Sequence, residues 1–200
     1  MRIIECEQGS EEWIEARLGR PSASNYAKLV KMNGDRSTQA NAYIQALAAE
    51  MITGEPTYVK VTEHMERGTE LEPYARDAYE RITGTSVDEV GFCLHDDIEA
   101  GASPDGLVGE EGGLEIKCPS PSVHIEYLEG NKLPSKYFQQ VQGCLWITER
   151  LWWDFMSYHP DMESLIVTVE RDEEFIGKLE NQVRIACDKI KELVDKYSKV

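Results

Sequence analysis

The sequence predicts an α/β fold built on one central mixed β-sheet flanked by helices. Two observations carry that expectation. Helical segments with glycine or proline stops fill most of residues 10–82, and short apolar runs bounded by glycine, proline or aspartate follow from residue 87. Mixed elements then lead to a long amphipathic segment at the C-terminal end, an order that puts helices and a sheet around one core. At 200 residues the length suits one domain, taken as residues 1–200.

The elements follow in order. Residues 10–18 form a short helix: Ser10 caps it, Glu11 and Glu12 favour its positive end, and Gly19 stops it. A second helix runs from Ala23 to Lys31, before Asn33-Gly34. A third, alanine-rich, covers about Gln39–Ile52 and ends at Gly54 and Pro56. A fourth runs from Thr62 to about Ile82, interrupted by Gly68 and Pro73 and closed by Gly84. Strands are expected at Val87–His95, Glu99–Ser103, Gly106–Val108 and Leu114–Cys118, with Gly109–Gly113 as the turn between the last two. Ser122–Glu129 and Ser135–Glu149 read as helices, Leu151–Tyr158 and Leu165–Glu170 as strands. Asp172–Lys196 is a long helix whose apolar positions are Phe175, Ile176, Leu179, Val183, Ile185, Ile190 and Val194.

Composition excludes several classes. With 41% hydrophobic and 29% charged residues the chain is neither collagen-like nor wholly disordered. No run reaches the ~18 apolar residues of a membrane span. The opening Met-Arg-Ile-Ile-Glu-Cys-Glu lacks an apolar signal core, so a cytoplasmic protein with no membrane partner is expected. The net charge of −16 argues, taken alone, against a nucleic-acid partner. Its distribution qualifies that: residues 1–36 and 171–200 are each neutral, while 37–100 carry −9 and 101–170 carry −7. A neutral or basic groove from the chain ends is compatible with this pattern, and carboxylates in the middle suit a hard divalent cation. Five widely spaced cysteines without a Cys-x-x-Cys read as reduced and structural rather than as a zinc or iron–sulfur site.

The chemistry concentrates at Gly101-Ala-Ser-Pro-Asp-Gly106 and Gly113-Leu-Glu-Ile-Lys-Cys-Pro119. In a strand at 114–118, alternation puts Glu115 and Lys117 on one face and Leu114 and Ile116 on the other. Folding 106–108 back against 114–116 brings Asp105 near Glu115. Two carboxylates held together repel unless a cation or proton compensates, and oxygen ligands with open positions suit Mg²⁺ or Mn²⁺. A lysine beside them can orient or deprotonate an attacking water. Each motif alone has a plainer reading: Pro-Asp-Gly is a turn tripeptide and Glu-Ile-Lys a surface strand. Joined by a hairpin, they favour the metal site.

Pro-Asp, a short gap, then Glu-x-Lys is the signature of the PD-(D/E)XK nuclease superfamily. The chain resembles lambda exonuclease and the related phage-type, YqaJ-like alkaline exonucleases. The matching pieces are Glu7-Gln-Gly9, Arg17-Leu-Gly19, Ser22-Ala-Ser24, Gly68-x-x-x-Glu72, Ser103-Pro-Asp-Gly106, Gly113–Pro119, Gln140-Val-Gln142, Trp146 and Val169-Glu-Arg-Asp-Glu173, in family order. Gln140 has no tyrosine four residues on, and the cysteines are not spaced as in iron–sulfur members, which excludes those branches.

The resemblance implies a restriction-endonuclease-like core and a two-ion site, Mg²⁺ with Mn²⁺ substituting. Asp105 and Glu115 are the shared metal ligands, the carbonyl of Ile116 adds an oxygen, and Lys117 activates water. Glu72 is an extra carboxylate for the second ion; otherwise it is one glutamate of an acidic helix. Arg17 and Ser24, with Ser103 and Gln140 nearby, hold a terminal 5′-phosphate. By residue type alone Arg17 is a surface cover, Ser24 a cap, Ser103 a turn residue and Gln140 a solvated helix position. Met65 stands where the family has an apolar wedge between strands, or else in the core. The loop Lys31–Arg36 reaches along DNA or is a plain turn.

The activity implied is 5′-to-3′ exonucleolytic hydrolysis of double-stranded DNA ends, releasing 5′-mononucleotides and leaving a 3′ tail. A homotrimeric ring and a single-strand annealing protein are the implied partners, in a phage or prophage setting. The alternatives are an endonuclease of the same chemistry and a catalytically silent binding module. His64, His95, His124 and His159 show no ligand spacing, and Trp146, Trp152 and Trp153 read as core residues.

Overall fold

The computed structural model describes residues 1–57 and 63–199, with the side chains of 63–65 outside that description. The order is β1 (Arg2–Ile4), α1 (Glu11–Arg17), a 3-10 turn (Ala23–Lys28), α2 (Ala40–Thr53), α3 (Glu63–Thr83), β2 (Val87–Asp88), β3 (Phe92–Leu94), β4 (Gly101–Ala102), β5 (Gly106–Val108) and β6 (Gly112–Lys117). There follow α4 (Pro121–Gly130), a 3-10 turn (Ser135–Tyr137), α5 (Phe138–Thr148), β7 (Trp152–Ser157), β8 (Leu165–Glu170) and α6 (Glu173–Tyr197).

The central mixed sheet is present with order β2-β5-β6-β7-β8, in which only β6 and β7 run parallel. A second sheet, β1-β3-β4, was not expected. It arises because the single strand expected over 87–95 is broken in two. Gly91 lies against the chain at the end of β1, where a Cβ would meet the Ile4 carbonyl at 2.4 Å. The chain therefore leaves the large sheet after Asp88 and pairs Phe92 with Ile4 in the small one.

The large sheet is covered on both faces. Leu114, Ile116 and Met156 pack against Ala75, Ala78 and Tyr79 of α3. On the opposite face Trp153 joins Val141, Leu145 and Leu179 of α5 and α6 in the main core. Three expectations need correction. First, α3 is continuous through Gly68 and Pro73. An interior proline costs roughly 3 kcal/mol, and the buried contacts of Ala75, Ala78 and Tyr79 one turn later oppose that cost. Second, Ala23–Lys28 is a 3-10 turn rather than an α-helix to Lys31, because Lys31 instead pairs across a tight turn with Asp35. Third, Ile185 is exposed, and Ala186 takes the buried position on α6. The start expected at Thr62 lies outside the described residues. Among the described residues no helix is long and apolar enough to cross a membrane.

The β5–β6 hairpin is the platform of the site. Its turn is shorter than 109–113, since Gly112 and Gly113 already belong to β6. The rings of Trp152 and Trp153 lie over these two glycines, and a Cβ at either would meet a ring carbon at 2.1 Å. Arg150 clamps the hairpin from outside: its Nη1 donates to the carbonyls of Gly109 at 2.7 Å and Gly112 at 2.6 Å. Replacing Arg150 by alanine should lower unfolding free energy by about 1.5–3 kcal/mol, the range for hydrogen bonds from a charged donor, as read by urea denaturation. A variant as stable as the parent would show that the clamp contributes nothing.

Candidate active site

The pairing of Gly106 with Leu114 leaves Asp105 at the mouth of the hairpin beside Glu115. Asp105 Oδ2 accepts a hydrogen bond from the Ile116 amide at 2.6 Å, which fixes the aspartate to the strand that carries the glutamate. Alternation along β6 does the rest. Leu114 and Ile116 face α3, while Glu115 and Lys117 face the other way. Lys117 Nζ donates to Glu115 Oε1 and stands 4.0 Å from Asp105 Oδ2. The three charged groups expected to converge do so.

Glu115 is only 1% exposed. Its Oε1 also accepts from Gln140 Nε2 at 2.6 Å, while its Oε2 is buried with no hydrogen-bond partner. Burial first, and the Asp105 charge second, push the Glu115 carboxyl up to about 7. Burial opposes the Lys117 charge, but Glu115 and Asp105 outweigh it and raise the ammonium above its ordinary value. The ammonium also lies 5.6 Å over the Tyr137 ring.

Glu72 enters from α3. Its Oε1 accepts from Arg76 Nη2 at 2.8 Å, one helical turn on. Burial and then Asp105 push its carboxyl to about 7, against the pull of Arg76 and Lys117. Arg76 reaches further, to Glu89 at 3.0 Å and to the carbonyl of Asp105 at 3.4 Å.

A second cluster adjoins the first. Arg17, in the last turn of α1, stacks on Trp13 at 4.2 Å. It donates to Ser103 Oγ at 2.8 Å and Ser22 Oγ at 3.2 Å, and Trp13 Nε1 donates to the same Ser103 oxygen at 2.9 Å. Ser24 Oγ lies 3.5 Å from Ser22 Oγ. Its side-chain hydrogen-bond partners are hydroxyls, and burial pushes the Arg17 pKa down. A desolvated guanidinium among hydroxyl groups is a fork suited to a phosphate. The two clusters share one segment, Ser103-Pro104-Asp105, whose Pro104 carbonyl accepts from Gln8 Nε2 at 2.7 Å.

The structure groups Arg17, Ser24 and Ser103, and Gln140 donates to Glu115 in the adjoining cluster. Met65 has its side chain outside the described residues. The Lys31–Arg36 loop is a tight turn, closed by a Val30–Arg36 bridge. His124 is a buried structural residue between Ser157 Oγ and the Glu163 carbonyl, and the five cysteines are free. Sequence reasoning missed Trp13, Arg76 and Tyr137 as parts of the site, and had Gln8 and Ser22 only as members of matching motifs without a role. Spacing gave a signal for two of them: Trp13 stands four residues before Arg17, and Arg76 four after Glu72.

A divalent cation was expected, so the donor set can be tested against one. Among the described residues no three His, Cys, Asp or Glu side chains form a closed metal-binding group. The pair Asp105 and Glu115 nevertheless fits a hard cation: the donors are oxygens, both carboxylates share one lysine, and Glu115 Oε2 is an unpartnered buried acceptor. Ile116 contributes its amide to this geometry.

Residues 12–151 match the YqaJ-like viral recombinase domain. The chain belongs to this family. No curated protein matches it in sequence. Two solved structures of LHK-Exo, an alkaline exonuclease from Laribacter hongkongensis, are 36% identical, one of them in complex with dAMP. Each superposes with a TM-score of 0.84 and covers 94% of this chain and 95% of that one. A phage-related exonuclease from Haemophilus somnus 129PT shares the fold at TM-score 0.68 and 17% identity, covering 90% of this chain and 96% of its own. This YqaJ-like domain has the PD-(D/E)XK fold and is a nuclease, as its sequence resemblance implied.

The raised carboxyls make stability depend on pH. Glu115 ordinarily titrates at 4.5 and is held at about 7 in the fold, so between those values the folded state binds more protons than the unfolded one. Its contribution is present at low pH and is lost as pH rises through about 7. In EDTA, the unfolding temperature should therefore fall between about pH 5 and about pH 8, and fall less in Glu115→Gln. An equal fall in the variant would place the titration elsewhere.

Proposed function

We propose that this nuclease is a divalent-metal-dependent 5′-to-3′ exonuclease acting on the phosphorylated ends of linear double-stranded DNA. The observation that carries the reading is the shared segment: Ser103, on Arg17, and Asp105, beside Glu115 and Lys117, are two residues apart. An end-binding pocket and a hydrolytic centre so close together suit removal of one nucleotide at a time. That LHK-Exo is an alkaline exonuclease and was captured with dAMP, a deoxynucleoside monophosphate, supports the same reading.

In this mechanism Arg17, Ser22, Ser24 and Ser103 bind the terminal 5′-phosphate and fix the register of the strand. Lys117 orients the attacking water toward the next phosphorus and offsets charge that grows on the phosphate oxygens. Gln140 and the Ile116 amide hold Glu115 and Asp105 in place. Mg²⁺, or Mn²⁺ in its place, held by Asp105, Glu115, Glu72 and the Ile116 carbonyl as a two-ion set, would supply a water of lowered pKa and Lewis-acid stabilisation of the leaving oxygen. Hydrolysis breaks the bond from phosphorus to the 3′ oxygen, releases a 5′-mononucleotide and leaves a new 5′-phosphate. The family resemblance further supports a homotrimeric ring around the duplex, a cytoplasmic site of action and delivery of the 3′ tail to a single-strand annealing protein.

End-labelled linear and closed-circular duplex, incubated with Mg²⁺, test the reading. Mononucleotides should appear only from linear DNA, and faster from 5′-phosphoryl than from 5′-hydroxyl ends. Nicked circles would indicate an endonuclease, and no Mg²⁺-dependent product a silent binding module. Lys117→Ala should lower turnover at least about a hundredfold, the scale of a positioned proton-transfer or charge-stabilising group, with DNA binding retained. Arg17→Ala should erase the preference for phosphorylated ends, and an unchanged preference would remove Arg17 from the pocket.

A further inference from the structure

One guanidinium joins three elements behind the site. Arg76 projects from α3 with only 12% of its side chain exposed. Its Nη2 donates to Glu72 Oε1 at 2.8 Å and to the main-chain carbonyl of Asp105 at 3.4 Å. Its Nη1 pairs with Glu89, just after β2, at 3.0 Å. Its Nε is buried with no hydrogen-bond partner. A buried arginine of this kind is held for the contacts of its fork, because a guanidinium stays charged and its planar donors fix direction.

Two of those contacts bear on the reaction centre. Glu72 and Asp105 are like charges, and each raises the electrostatic cost of the other. A carboxylate free to rotate on α3 would swing away toward solvent. Arg76 prevents that by pairing with Glu72, and the same Nη2 atom grips the backbone at Asp105. One atom thus ties the Glu72 carboxylate to the backbone of Asp105, whose own carboxylate is held by the Ile116 amide. Glu89, by contrast, is 69% exposed, and a pair with so exposed a partner contributes little.

We infer that Arg76 is a positioning residue that holds Glu72 in register with Asp105 for divalent-ion binding. The inference rests on the ligand role proposed above for Glu72. It makes Arg76 the outer partner of a metal-binding carboxylate rather than a tie between α3 and the sheet. Removing such a partner typically weakens metal affinity about 10- to 100-fold.

The test is a variant set of the full chain: Glu72→Ala, Arg76→Gln, the double variant and Glu89→Ala. Mn²⁺ binding is measured by titration calorimetry, and single-turnover digestion of 5′-phosphorylated duplex is measured beside it. Thermal unfolding confirms that each variant is folded, and Arg76→Gln retains a hydrogen-bond donor in the side chain. Arg76→Gln should weaken Mn²⁺ binding about tenfold or more, and the double variant should be no worse than Glu72→Ala alone. Glu89→Ala should bind Mn²⁺ and digest DNA like the parent. Additive losses in the double variant, or a matching loss in Glu89→Ala, would make Arg76 a structural tie and overturn the inference. Normal Mn²⁺ binding by Arg76→Gln beside weakened binding by Glu72→Ala would overturn it while leaving the ligand reading of Glu72 standing. Normal binding by Glu72→Ala would remove the ligand reading and the inference together.

Discussion

The buried carboxylate of Glu115 is the constraint around which the molecule is organised. A glutamate 1% exposed in the central strand of a sheet loses almost all its hydration. Restoring that loss takes charge and hydrogen bonds from neighbours, since an unpaired buried ion costs several kcal/mol. Lys117 supplies the charge from the same face of β6, and Gln140 supplies a donor from α5. Neither reaches Glu115 Oε2. Asp105 and Glu72 lie close by, and burial together with their charges holds the Glu115 carboxyl above its ordinary value despite Lys117. An apolar core would have been easier to stabilise. A nuclease that gathers carboxylates in this way accepts a locally unfavourable arrangement that a divalent cation is suited to relieve.

Rigid parts hold that arrangement. Asp105 must stand at the mouth of the hairpin, so the hairpin register cannot slip, and a slip of one residue would turn Glu115 toward α3. The register is fixed from several sides at once. Trp152 and Trp153 fill the space over Gly112 and Gly113, which admits no other residue there without displacement. Arg150 binds the turn carbonyls, and Gln8 holds the Pro104 carbonyl from outside the sheet. The small sheet contributes through β4, which runs directly into the segment that links the Arg17 cluster to the carboxylates.

Much of this was legible in the sequence, for a definite reason. Asp105, Glu115 and Lys117 lie on adjacent strands of one tight hairpin, so alternation and pairing alone bring them together. The long helices were legible from their apolar period and caps: Ser10 and Asp172 accept from Trp13 and Phe175 amides as N-caps do. What failed depended on distant contacts. The break at Gly91 reflects a close approach of β1, nearly ninety residues earlier in the chain. Pro73 sits within α3 because the sheet packs against the next turn. Gln140 reaches Glu115 only through the packing of α5 on β6, for which no local pattern exists.

The acidity of the chain bears on how it meets a polyanion. The net charge is −16, and several of the cations that oppose it are used inside the fold. Arg150 and Arg171 donate to main-chain carbonyls, Arg76 holds carboxylates, and Lys117 neutralises Glu115. These groups contribute little to attraction at a distance, because interactions beyond about 10 Å are screened at ordinary salt. General phosphate neutralisation, which drives tight nonspecific binding in basic proteins, is therefore weak in a single copy of this chain. Selectivity then falls to local features: a desolvated guanidinium among hydroxyls at Arg17, and a carboxylate set two residues along the chain from its serine partner. Under the proposed function, an anion that fills the first without complementing the second would gain little, and an acidic nuclease would in that way discriminate a chain end from the body of the same polymer.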